Sequence, residues 1–380
     1  MVMDDQDTKR TMTNAYARNR FNSDPTIWTQ VQPMKESSRT PGVIPRLEPH
    51  FTRLNKKGKT VSAYLCSAMT DHISTGLGDL GWGCGYRNTQ MLMTFLQRAQ
   101  QGGDRLLPQV CDIQGIQTLL ERAWQEGFDP QGAKQLQQHV YKTRKWIGTT
   151  EVYSLLAYLG IRSTILDFHQ PTGLHHDALF DWIQFYFESG AKKSHKPKTV
   201  YMTDRPPLYL QHAGHSRTVI GIEILKDDKR NLIMFDPGRR MLRSYRQKDP
   251  DQRPSTSTAT SLPSPNSTTS ELDDDGSNHE EDDVDEVSTP KDSDPPSSLA
   301  SRFLSSITQH TNLPANLLRP FRVDAKTIAK NKQYQVLVLG EVIDERPSGG
   351  NAKWDETGGF LLSDEERDQR KRVTSISMTL

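Results

Sequence analysis

Hydrophobic and polar residues follow two patterns in the middle of the chain. In four segments the hydrophobic residues recur every three or four positions, a spacing that predicts amphipathic helices. These segments are 86–100, 113–126, 150–159 and 176–188. Short runs of β-branched and other hydrophobic residues predict strands instead. These runs are 161–167, 199–202, 207–211, 217–225, 231–235 and 333–343. The mixture of helices and strands predicts an α+β fold.

Three regions lack these patterns and set the expected domain boundaries. Residues 1–48 show no sustained periodicity, which predicts a disordered N-terminal arm. Residues 249–301 are rich in Ser, Pro, Asp and Glu and cannot bury enough apolar surface to offset their ordering entropy, so we predict a disordered acidic insert. Residues 346–380 are expected to form a flexible charged tail, with at most a short surface helix. Because strands occur on both sides of the insert, one domain is predicted to comprise 49–248 and 302–345.

Composition narrows the class of protein. Hydrophobic residues make up 34% of the chain, below the ~45–50% of typical globular proteins, which agrees with the predicted disordered segments. The net charge of +1 argues against a chain-wide preference for nucleic acid or membrane surfaces, and no apolar run is long enough to span a bilayer. The three cysteines are far apart and form no C-x-x-C pair, which disfavours disulfides and structural zinc. We therefore expect a protein of the cytoplasm or nucleus without metal or other cofactor.

A glycine-rich string resembles a nucleotide-binding motif only superficially. Gly76, Gly78 and Gly81 spell G-x-G-x-x-G. That motif binds a dinucleotide only when it follows a strand and opens directly into a helix. Here the preceding residues do not form a strand pattern, and the helical pattern begins only after Cys84. A nucleotide site is therefore not expected.

Cys84 lies where the helical pattern of residues 86–100 begins, in the stretch G-D-L-G-W-G-C-G-Y-R-N. The unpaired N–H groups at a helix start lower the pKa of a thiol and favour the reactive thiolate. Gly83 and Gly85 flank the cysteine without side chains and are expected to leave room for a substrate backbone. The helix is expected to bury Leu92, Phe95, Leu96 and Ala99. A small buried cysteine in a glycine turn explains this stretch equally well.

A cysteine nucleophile needs a base and a residue that orients the base. His215 begins a predicted strand, and Asp236 ends the next one at an Asp-Pro-Gly turn. Both follow Cys84 at about the 130–150 residues that separate a papain-type cysteine from its partners. Gln211 is a candidate oxyanion donor. Each has an ordinary alternative: a hydrogen-bonded core histidine, a turn aspartate, or a strand glutamine. His212 is the other candidate histidine, expected to pack or to line the approach.

These residues also carry a family resemblance. The segments G-W-G-C-G-Y-R-N-T-Q-M-L, P-L-Y-L-Q-H-A-G-H-S-R-T-V-I-G-I-E and L-I-M-F-D-P-G resemble the zinc-finger-containing ubiquitin peptidases (ZUFSP), which belong with the proteases of the ubiquitin-fold modifier in one papain-like family. E-G-F-D-P-Q-G-A, K-W-I-G-T-T-E-V-Y-S-L-L and N-K-Q-Y-Q-V-L-V match as well. The resemblance extends over most of the predicted core. The chain does not show the Cys and His spacing of the zinc fingers.

The resemblance implies a papain-like cysteine protease fold, in which the helical part that carries the nucleophile packs on a mainly antiparallel sheet. It assigns Cys84 as nucleophile, His215 as base, Asp236 as orienting acid and Gln211 as an oxyanion-hole residue. The modifier proteases typically carry a D-P-H string where this chain has D-P-G, so the ubiquitin peptidases are favoured.

The implied reaction is hydrolysis of the peptide or isopeptide bond after the C-terminal glycine of ubiquitin, by a deubiquitinase that acts as a monomer. Its expected partner is ubiquitin or polyubiquitin, and neither nucleic acid nor a membrane is required. A protease for a ubiquitin-like modifier and an inactive ubiquitin-binding module are the alternatives.

Three residues in the matched segments are candidates for binding the ubiquitin tail. Asp129 and Glu151 are expected to pair with the arginines that precede the terminal Gly-Gly, with Trp146 nearby. Alternatively, Asp129 initiates an Asp-Pro turn, Glu151 lies at a helix N-terminus, and Trp146 belongs to the core.

Overall fold

The computed structural model describes residues 25–170, 176–192, 198–246 and 316–378, and all of these belong to one unit. The predicted disordered insert and residues 1–24 of the predicted arm lie outside the described residues.

The helices lie at or near the positions that the hydrophobic periodicity predicts. In chain order they are α1 (Val43–Lys56), α2 (Cys84–Arg98), α3 (Ile113–Gln125), α4 (Pro130–Gln135), α5 (Thr149–Tyr158), α6 (Asp177–Ser189), α7 (Arg243–Arg246), α8 (Ala325–Ile328) and α9 (Asp364–Gln369). All four predicted helices are confirmed as α2, α3, α5 and α6. The predicted segments did not include α1.

The strands are β1 (Arg39–Thr40), β2 (Thr60–Leu65), β3 (His72–Ile73), β4 (Gln100–Gln101), β5 (Asp104–Arg105), β6 (Ser163–His169), β7 (Val200–Met202), β8 (Leu208–His212), β9 (His215–Leu225), β10 (Arg230–Phe235), β11 (Arg322–Asp324), β12 (Gln333–Leu339), β13 (Val342–Asp344), β14 (Ala352–Trp354) and β15 (Ser375–Ser377). The predicted strand 333–343 is wrong in one respect, because it divides at Gly340 into β12 and β13. Gly340 has φ +94°, and an added Cβ would lie 2.7 Å from the indole nitrogen of Trp354.

One large sheet organises the fold. Its strand order is β11-β10-β9-β8-β12-β6-β15, and β2 joins it by pairing with β9 and β7. The long strand β9 pairs with β8 along its first half and with β2 along its second. All pairs in this sheet are antiparallel except β15 with β6 and β2 with β7. The prediction of an α+β fold with a mainly antiparallel sheet is therefore confirmed.

Helix α2 packs against this sheet as a central element. Its predicted apolar face is buried, with Leu92 and Leu96 fully inaccessible. Polar residues on its other faces are buried as well, because neighbouring segments cover the helix on all sides. The buried side chains find partners: Asn88 donates to Ser216 Oγ at 3.0 Å, and Gln90 donates to the Cys111 carbonyl oxygen at 2.8 Å. A helix covered in this way holds its first residue in a fixed place.

The described part of the predicted N-terminal arm is folded. Ile27, Val31, Val43, Ile44 and Leu47 are all buried in the core. Helix α1 begins at Val43 and packs on β2. The expectation of a disordered arm up to residue 48 is therefore wrong for residues 25–48. Scattered apolar residues in a short polar segment give little periodic signal, yet each fills a place in a core that distant segments provide.

The predicted flexible tail is also folded over residues 346–378. Strand β15 extends the sheet beside β6, and Met378 is buried. Helix α9 is capped by Ser363, and Glu366 in its first turn forms an ion pair with Arg162 at 2.8 Å. The predicted domain end at residue 345 is therefore wrong. The parallel partner of β15 lies some 200 residues earlier in the chain, so local sequence carries no signal for this pairing. None of the described helices combines the length and apolar character that a membrane span requires.

Candidate active site

Cys84 is the first residue of α2, and its side chain is half-buried. The positive end of the helix therefore lies at the thiol, since the first N–H groups of a helix have no acceptor within it. Asn88, fully buried one turn later, donates to the Cys84 carbonyl oxygen at 2.8 Å and to Ser216 Oγ at 3.0 Å. Asn88 also accepts a hydrogen bond from the hydroxyl of Thr218 at 2.8 Å. This buried amide joins the start of α2 to strand β9.

The glycines beside Cys84 have a different role from the predicted one. A Cβ on Gly83 would lie 2.5 Å from Oδ2 of Asp79, and a Cβ on Gly85 would lie 2.4 Å from the Ile147 carbonyl oxygen. Real Cβ atoms do not approach so closely, so the protein itself fills the space that we expected a substrate to use. The expectation that these glycines admit substrate is therefore wrong. They allow two neighbouring segments to pack tightly around the helix start.

His215 is the first residue of β9 and contacts both Cys84 and Asp236. Its Nε2 lies 3.6 Å from Oδ1 of Asp236, and its ring is close enough to the Cys84 thiol that each group shifts the pKa of the other. Because Nε2 is directed at the carboxylate, Nδ1 is the ring nitrogen that remains for the sulfur. The structure thus brings together the three residues that spacing alone suggested.

His212 takes the position that we expected for the other histidine. Its ring lies 5.5 Å from the ring of Tyr334, between centroids, and is half-buried. Its Nδ1 is 3.0 Å from the Ala213 carbonyl oxygen. Its ring is 6.0 Å from that of His215, and no hydrogen bond joins it to Cys84 or Asp236 among the contacts of the described residues. His212 thus packs against Tyr334, outside the lining of the cavity around Cys84, and does not compete with His215.

The electrostatics of these groups favour a charged pair. Burial raises the pKa of the Cys84 thiol, but hydrogen bonds from His215 and Ser216 outweigh burial and hold the pKa below its usual value. The hydrogen bonds with Asp236 and Cys84 raise the pKa of His215 to about 9. Burial opposes ionisation of Asp236, yet His215 and the charge of Arg217 hold its pKa well below the usual range. All three shifts therefore favour the charged forms, a thiolate, an imidazolium and a carboxylate.

Asp236 is held in place by several contacts. Arg217 Nε donates to its Oδ2 at 2.9 Å, and the Gly238 N–H donates to its Oδ1 at 3.0 Å. Its carbonyl oxygen lies 3.2 Å from Nε2 of His72, which is buried, and the following residue accepts a backbone hydrogen bond from Thr75 at 2.8 Å. The Asp-Pro-Gly turn that we considered as an ordinary alternative is present. The same turn directs the carboxylate toward His215.

Gln211 points its amide into the same cleft. Its Oε1 accepts hydrogen bonds from the Thr149 N–H at 2.6 Å and the Thr149 hydroxyl at 2.8 Å. Because a backbone N–H is only a donor, the atom that faces it must be the carbonyl oxygen of the amide. The Nε2 group consequently points elsewhere, and it has no hydrogen-bond acceptor among the described residues. Gln211 therefore offers a free N–H donor next to Cys84.

Trp146 forms one wall of the cleft. Its side chain is 53% exposed, so the alternative that it belongs to the core is wrong. An added Cβ on Gly214, at the tip of the β8–β9 hairpin, would lie 3.8 Å from the indole ring. Cys84, His215 and Gln211 lie on the same cavity of about 290 Å³. The indole and the hairpin tip thus border a narrow passage that leads to the sulfur.

Glu151 lines this cavity but also caps a helix. Its Oε2 accepts from the Gly148 N–H at 2.6 Å, and its Oε1 accepts from the Thr150 hydroxyl at 3.0 Å. Burial and the charge of Asp129 raise the pKa of Glu151, although these hydrogen bonds oppose the rise. The alternative of a residue at a helix N-terminus is therefore correct as a structural description. It does not exclude a contact with substrate.

Asp129 is buried and does not line the cavity around Cys84. It begins α4, where its Oδ1 accepts from the Gly132 N–H at 3.0 Å, as the Asp-Pro alternative predicted. Its φ of +42° is unusual for a residue with a side chain. Its Oδ2 is buried without a hydrogen-bond partner among the described residues. Direct contact of this carboxylate with a substrate remains a prediction.

Three supporting residues escaped sequence reasoning. Asn88 and Ser216 fix the sulfur and the helix start, and Arg217 fixes the carboxylate. One signal was available: Arg217 lies two positions after His215 in a strand, so both side chains are on the same face. Asn88 resembled any polar helix residue. Within the described ranges we find no cluster of three or more His, Cys, Asp or Glu side chains that could hold a metal ion.

Comparisons with known proteins agree with the arrangement. The model of peptidase family C78 matches residues 59–261, more than half of the chain, and this span includes Cys84, His215 and Asp236. Zinc finger-containing ubiquitin peptidase 1 of Mus musculus is 43% identical over 204 residues, which cover 53% of this chain and 34% of the relative. Ubiquitin carboxyl-terminal hydrolase mug105 of Schizosaccharomyces pombe is 35% identical over 168 residues, 43% of this chain and 63% of the relative.

The chain thus spans about a third of the length of the mammalian relative. Among solved structures, that of UfSP from C. elegans shows 15% identity and a TM-score of 0.30, and it covers 46% of this chain and 27% of that chain. The family model, which covers more than half of the sequence, decides the assignment. The resemblance drawn from the sequence motifs is confirmed, and this chain belongs to peptidase family C78.

Proposed function

We propose that this chain is a cysteine-type deubiquitinase, which hydrolyses the peptide or isopeptide bond after the C-terminal glycine of ubiquitin. The observation that carries the proposal is the contact of the Cys84 thiol with an imidazole that faces a fixed carboxylate. The low pKa of Cys84 and the high pKa of His215 supply a thiolate together with a proton donor.

In the first half of the reaction, the Cys84 thiolate attacks the carbonyl carbon of the terminal glycine. The negative charge moves to the carbonyl oxygen, where the Cys84 backbone N–H and Gln211 Nε2 are the donors that the geometry offers. Preorganised donors of this kind stabilise the tetrahedral intermediate more than the ground state. The C–N bond then breaks as the imidazolium of His215 gives its proton to the departing amine.

In the second half, water hydrolyses the thioester. His215, now neutral, accepts a proton from the water as the water attacks the acyl carbon. The C–S bond breaks, the ubiquitin carboxylate leaves, and the thiolate and imidazolium return. Asp236 stays ionised throughout and keeps Nδ1 of the ring directed at the sulfur.

The passage beside Trp146 suits the two terminal glycines of ubiquitin. Their lack of side chains suits a site bordered by the Trp146 indole and the Gly214 tip. Glu151 lines the cavity, and Asp129 is near enough to affect its pKa, so two carboxyl groups lie at this end of the cleft. Carboxyl groups are suited to pair with the arginines that precede the Gly-Gly sequence.

The names of the relatives support ubiquitin as the substrate. Both the mouse peptidase and the fission-yeast hydrolase are named for ubiquitin. The D-P-G string at Asp236 points the same way, because it departs from the D-P-H string of the modifier proteases.

Covalent labelling tests the proposal. Ubiquitin that carries a C-terminal propargylamide should label the wild-type chain once, and Cys84→Ala should abolish labelling. Cys111→Ala is the matched control, since Cys111 is buried and its substitution should leave labelling intact. The same probe built on the ubiquitin-fold modifier should react at least about tenfold more slowly, a difference of about 1.4 kcal/mol in activation free energy.

Three outcomes would contradict the proposal. Preferential labelling by the modifier probe would identify a modifier protease. Binding of ubiquitin without labelling or turnover would identify an inactive binding module. Labelling that survives in Cys84→Ala would move the nucleophile to another residue.

A further inference from the structure

A second cavity, of about 720 Å³, lies beside the start of α2. Gly78, Asp79 and Trp82, which precede Cys84, contribute to its wall, and Arg87 contributes from the first turn of the helix. The segment 142–144 forms another part of the wall. The proposed mechanism uses none of these side chains.

One continuous chain segment lines both cavities. Residues 142–144 line the second cavity, and residues 146–151 line the cavity that contains Cys84. Within the latter range, the Ile147 carbonyl oxygen packs directly against Gly85, the neighbour of Cys84. The two cavities are therefore neighbours along this segment, and Cys84 lines the smaller one.

The two cavities differ in charge. Four cationic side chains and two carboxylates line the second cavity: Lys35, Arg87, Lys142, Arg144, Asp79 and Asp112. The Arg87 guanidinium pairs with Asp79 through two hydrogen bonds, at 2.7 and 2.8 Å, and both residues are buried. Asp112 accepts from the Gly115 N–H at the start of α3. Three exposed cations thus remain without a carboxylate partner among the described residues.

The cavity around Cys84 has the opposite character. Among the described residues that line it, Glu151 is the acidic residue, and there is no lysine or arginine. Lys145, which lies between the two cavities, already donates to the Leu136 carbonyl oxygen at 2.8 Å. The two neighbouring cavities therefore differ in the charged residues that line them.

The cationic wall is held in a fixed conformation. The Lys142 N–H donates to Oε1 of Gln117 at 3.0 Å, and Nε2 of Gln117 donates to the Thr143 carbonyl oxygen at 3.0 Å. Gln117 is 1% exposed, so a buried amide fixes this backbone from the inside. Lys142 itself has φ +55°, a conformation that a residue with a side chain adopts only when its surroundings impose it. The backbone that carries Lys142 is therefore fixed, and the Lys142 and Arg144 side chains extend from it as exposed cations.

We propose that this cation-lined cavity binds acidic residues beside the acceptor lysine of the protein that ubiquitin modifies. The inference rests on the proposed function, in which the arginine-bearing ubiquitin tail lies in the cavity beside Glu151. A neighbouring cavity lined by unpaired cations repels that tail, so we assign it to the leaving protein. Charge complementarity there raises the association rate and selects among acceptor sites.

The test is a charge reversal, Lys142→Glu with Arg144→Glu, assayed on three substrates. The first is ubiquitin joined to aminocoumarin, which has no leaving protein. The other two are ubiquitin joined through an isopeptide bond to a lysine peptide, flanked in one case by Asp and Glu and in the other by Ser and Gly. We expect kcat/KM on the acidic peptide to fall at least about fivefold, and the other two values to change less than about twofold.

The matched control is Lys226→Glu with Lys229→Glu. These exposed lysines carry the same charge but lie at the far end of β9 from His215. The control should leave all three substrates unchanged. The loss in the test variant should shrink between about 50 and 500 mM salt, because screening weakens exposed ion pairs. A peptide flanked by Lys and Arg should be cleaved faster by the charge-reversed variant than by the wild type, a gain that misfolding cannot produce.

Several outcomes would overturn the inference. An equal loss on the acidic and neutral peptides, or no loss on either, would show that the cavity does not bind acidic residues of the leaving protein. An equal loss on the coumarin substrate would mean that the cavity contacts ubiquitin itself. Failure of the proposed function is separately visible, because the wild-type chain would then not cleave ubiquitin–aminocoumarin.

Discussion

The surroundings of Cys84 contrast with those of the other two thiols. Cys66 and Cys111 are completely buried, and burial raises the pKa of Cys66 to about 12 and raises that of Cys111 as well. Cys111 packs its sulfur 3.6 Å from that of Met93, and the Cys66 thiol donates to the Ser67 carbonyl oxygen and the Thr70 hydroxyl. Cys84 is partly buried too, yet its pKa is lowered.

The difference teaches that the groups around a thiol, rather than its burial alone, decide whether its pKa is lowered. Burial opposes the thiolate at all three cysteines, and at Cys84 it is the largest single contribution. Only there do an imidazole and a serine on the adjoining strand outweigh it. Reactivity is therefore a property of the junction between α2 and β9, and each prediction below acts on that junction.

The largest effect is expected for His215→Ala, which should make Cys84 resemble the two buried cysteines. Without the imidazole, Cys84 loses its main hydrogen-bond partner and the proton donor for the leaving amine, so kcat/KM should fall roughly 10³–10⁴-fold. The thiol pKa, measured from the pH dependence of iodoacetamide alkylation, should rise toward those of the buried cysteines. His212→Ala is the control and should keep most activity. Comparable losses in both variants would remove the special role of His215.

Gln211→Ala should have the next largest effect. Its free Nε2 is the side-chain donor nearest the expected oxyanion, and removal of one such donor costs on the order of 10²-fold in kcat. The pKa of Cys84 should stay low, because Gln211 does not contact the sulfur. Gln335→Ala is the control, since Gln335 pairs with Gln211 across the sheet and lines the same cavity. An unchanged kcat in Gln211→Ala would assign the oxyanion to other donors.

The pH dependence of turnover sharpens the contrast further. The imidazolium is the proton donor, and its pKa of about 9 places the alkaline limb of kcat/KM there. Activity should therefore fall about tenfold for each pH unit above 9. Alkylation by iodoacetamide needs only the thiolate and should not fall in this range. A rate that continues to rise above pH 9 would mean that neutral imidazole is the active form.

Arg217→Met should produce the smallest change. The guanidinium donates to Oδ2 of Asp236 at 2.9 Å, but it is partly exposed, so the loss corresponds to about 1 kcal/mol, or roughly fivefold in kcat/KM. Arg239→Met is the control, because Arg239 lies 3.9 Å from the same oxygen and is 58% exposed. Rescue by Arg217→Lys would assign the effect to charge. A loss in Arg239→Met of equal size would assign it to net charge alone.

Much of the fold was accessible from local patterns. Helices α2, α3, α5 and α6 coincide with hydrophobic periodicity, because one face of each packs on a core. Strands β8, β9 and β10 coincide with β-branched runs for the same reason. The folded ends of the chain were missed, since β15 and the segment around Val31 depend on partners far away in sequence.

The candidate site likewise has parts that the sequence predicted and parts that it did not. Residue types and spacing singled out Cys84, His215, Asp236 and Gln211. A catalytic thiol requires a base, a carboxylate that orients the base and an oxyanion donor. Sequence could not distinguish the role of Gly83 and Gly85, since an empty space and a close contact both require glycine. It also missed Asn88 and Arg217, whose importance lies entirely in what they touch.

The sequence by itself determined the elements and the inventory of chemical groups, because periodicity and side-chain chemistry are local properties. Tertiary structure alone decided that the β8–β9 hairpin meets the start of α2, which cysteine is activated, and that unpaired cations gather in the cavity next to that of Cys84. Those are relations between segments far apart in the chain, and an electrostatic potential or a hydrogen bond depends on distances in space.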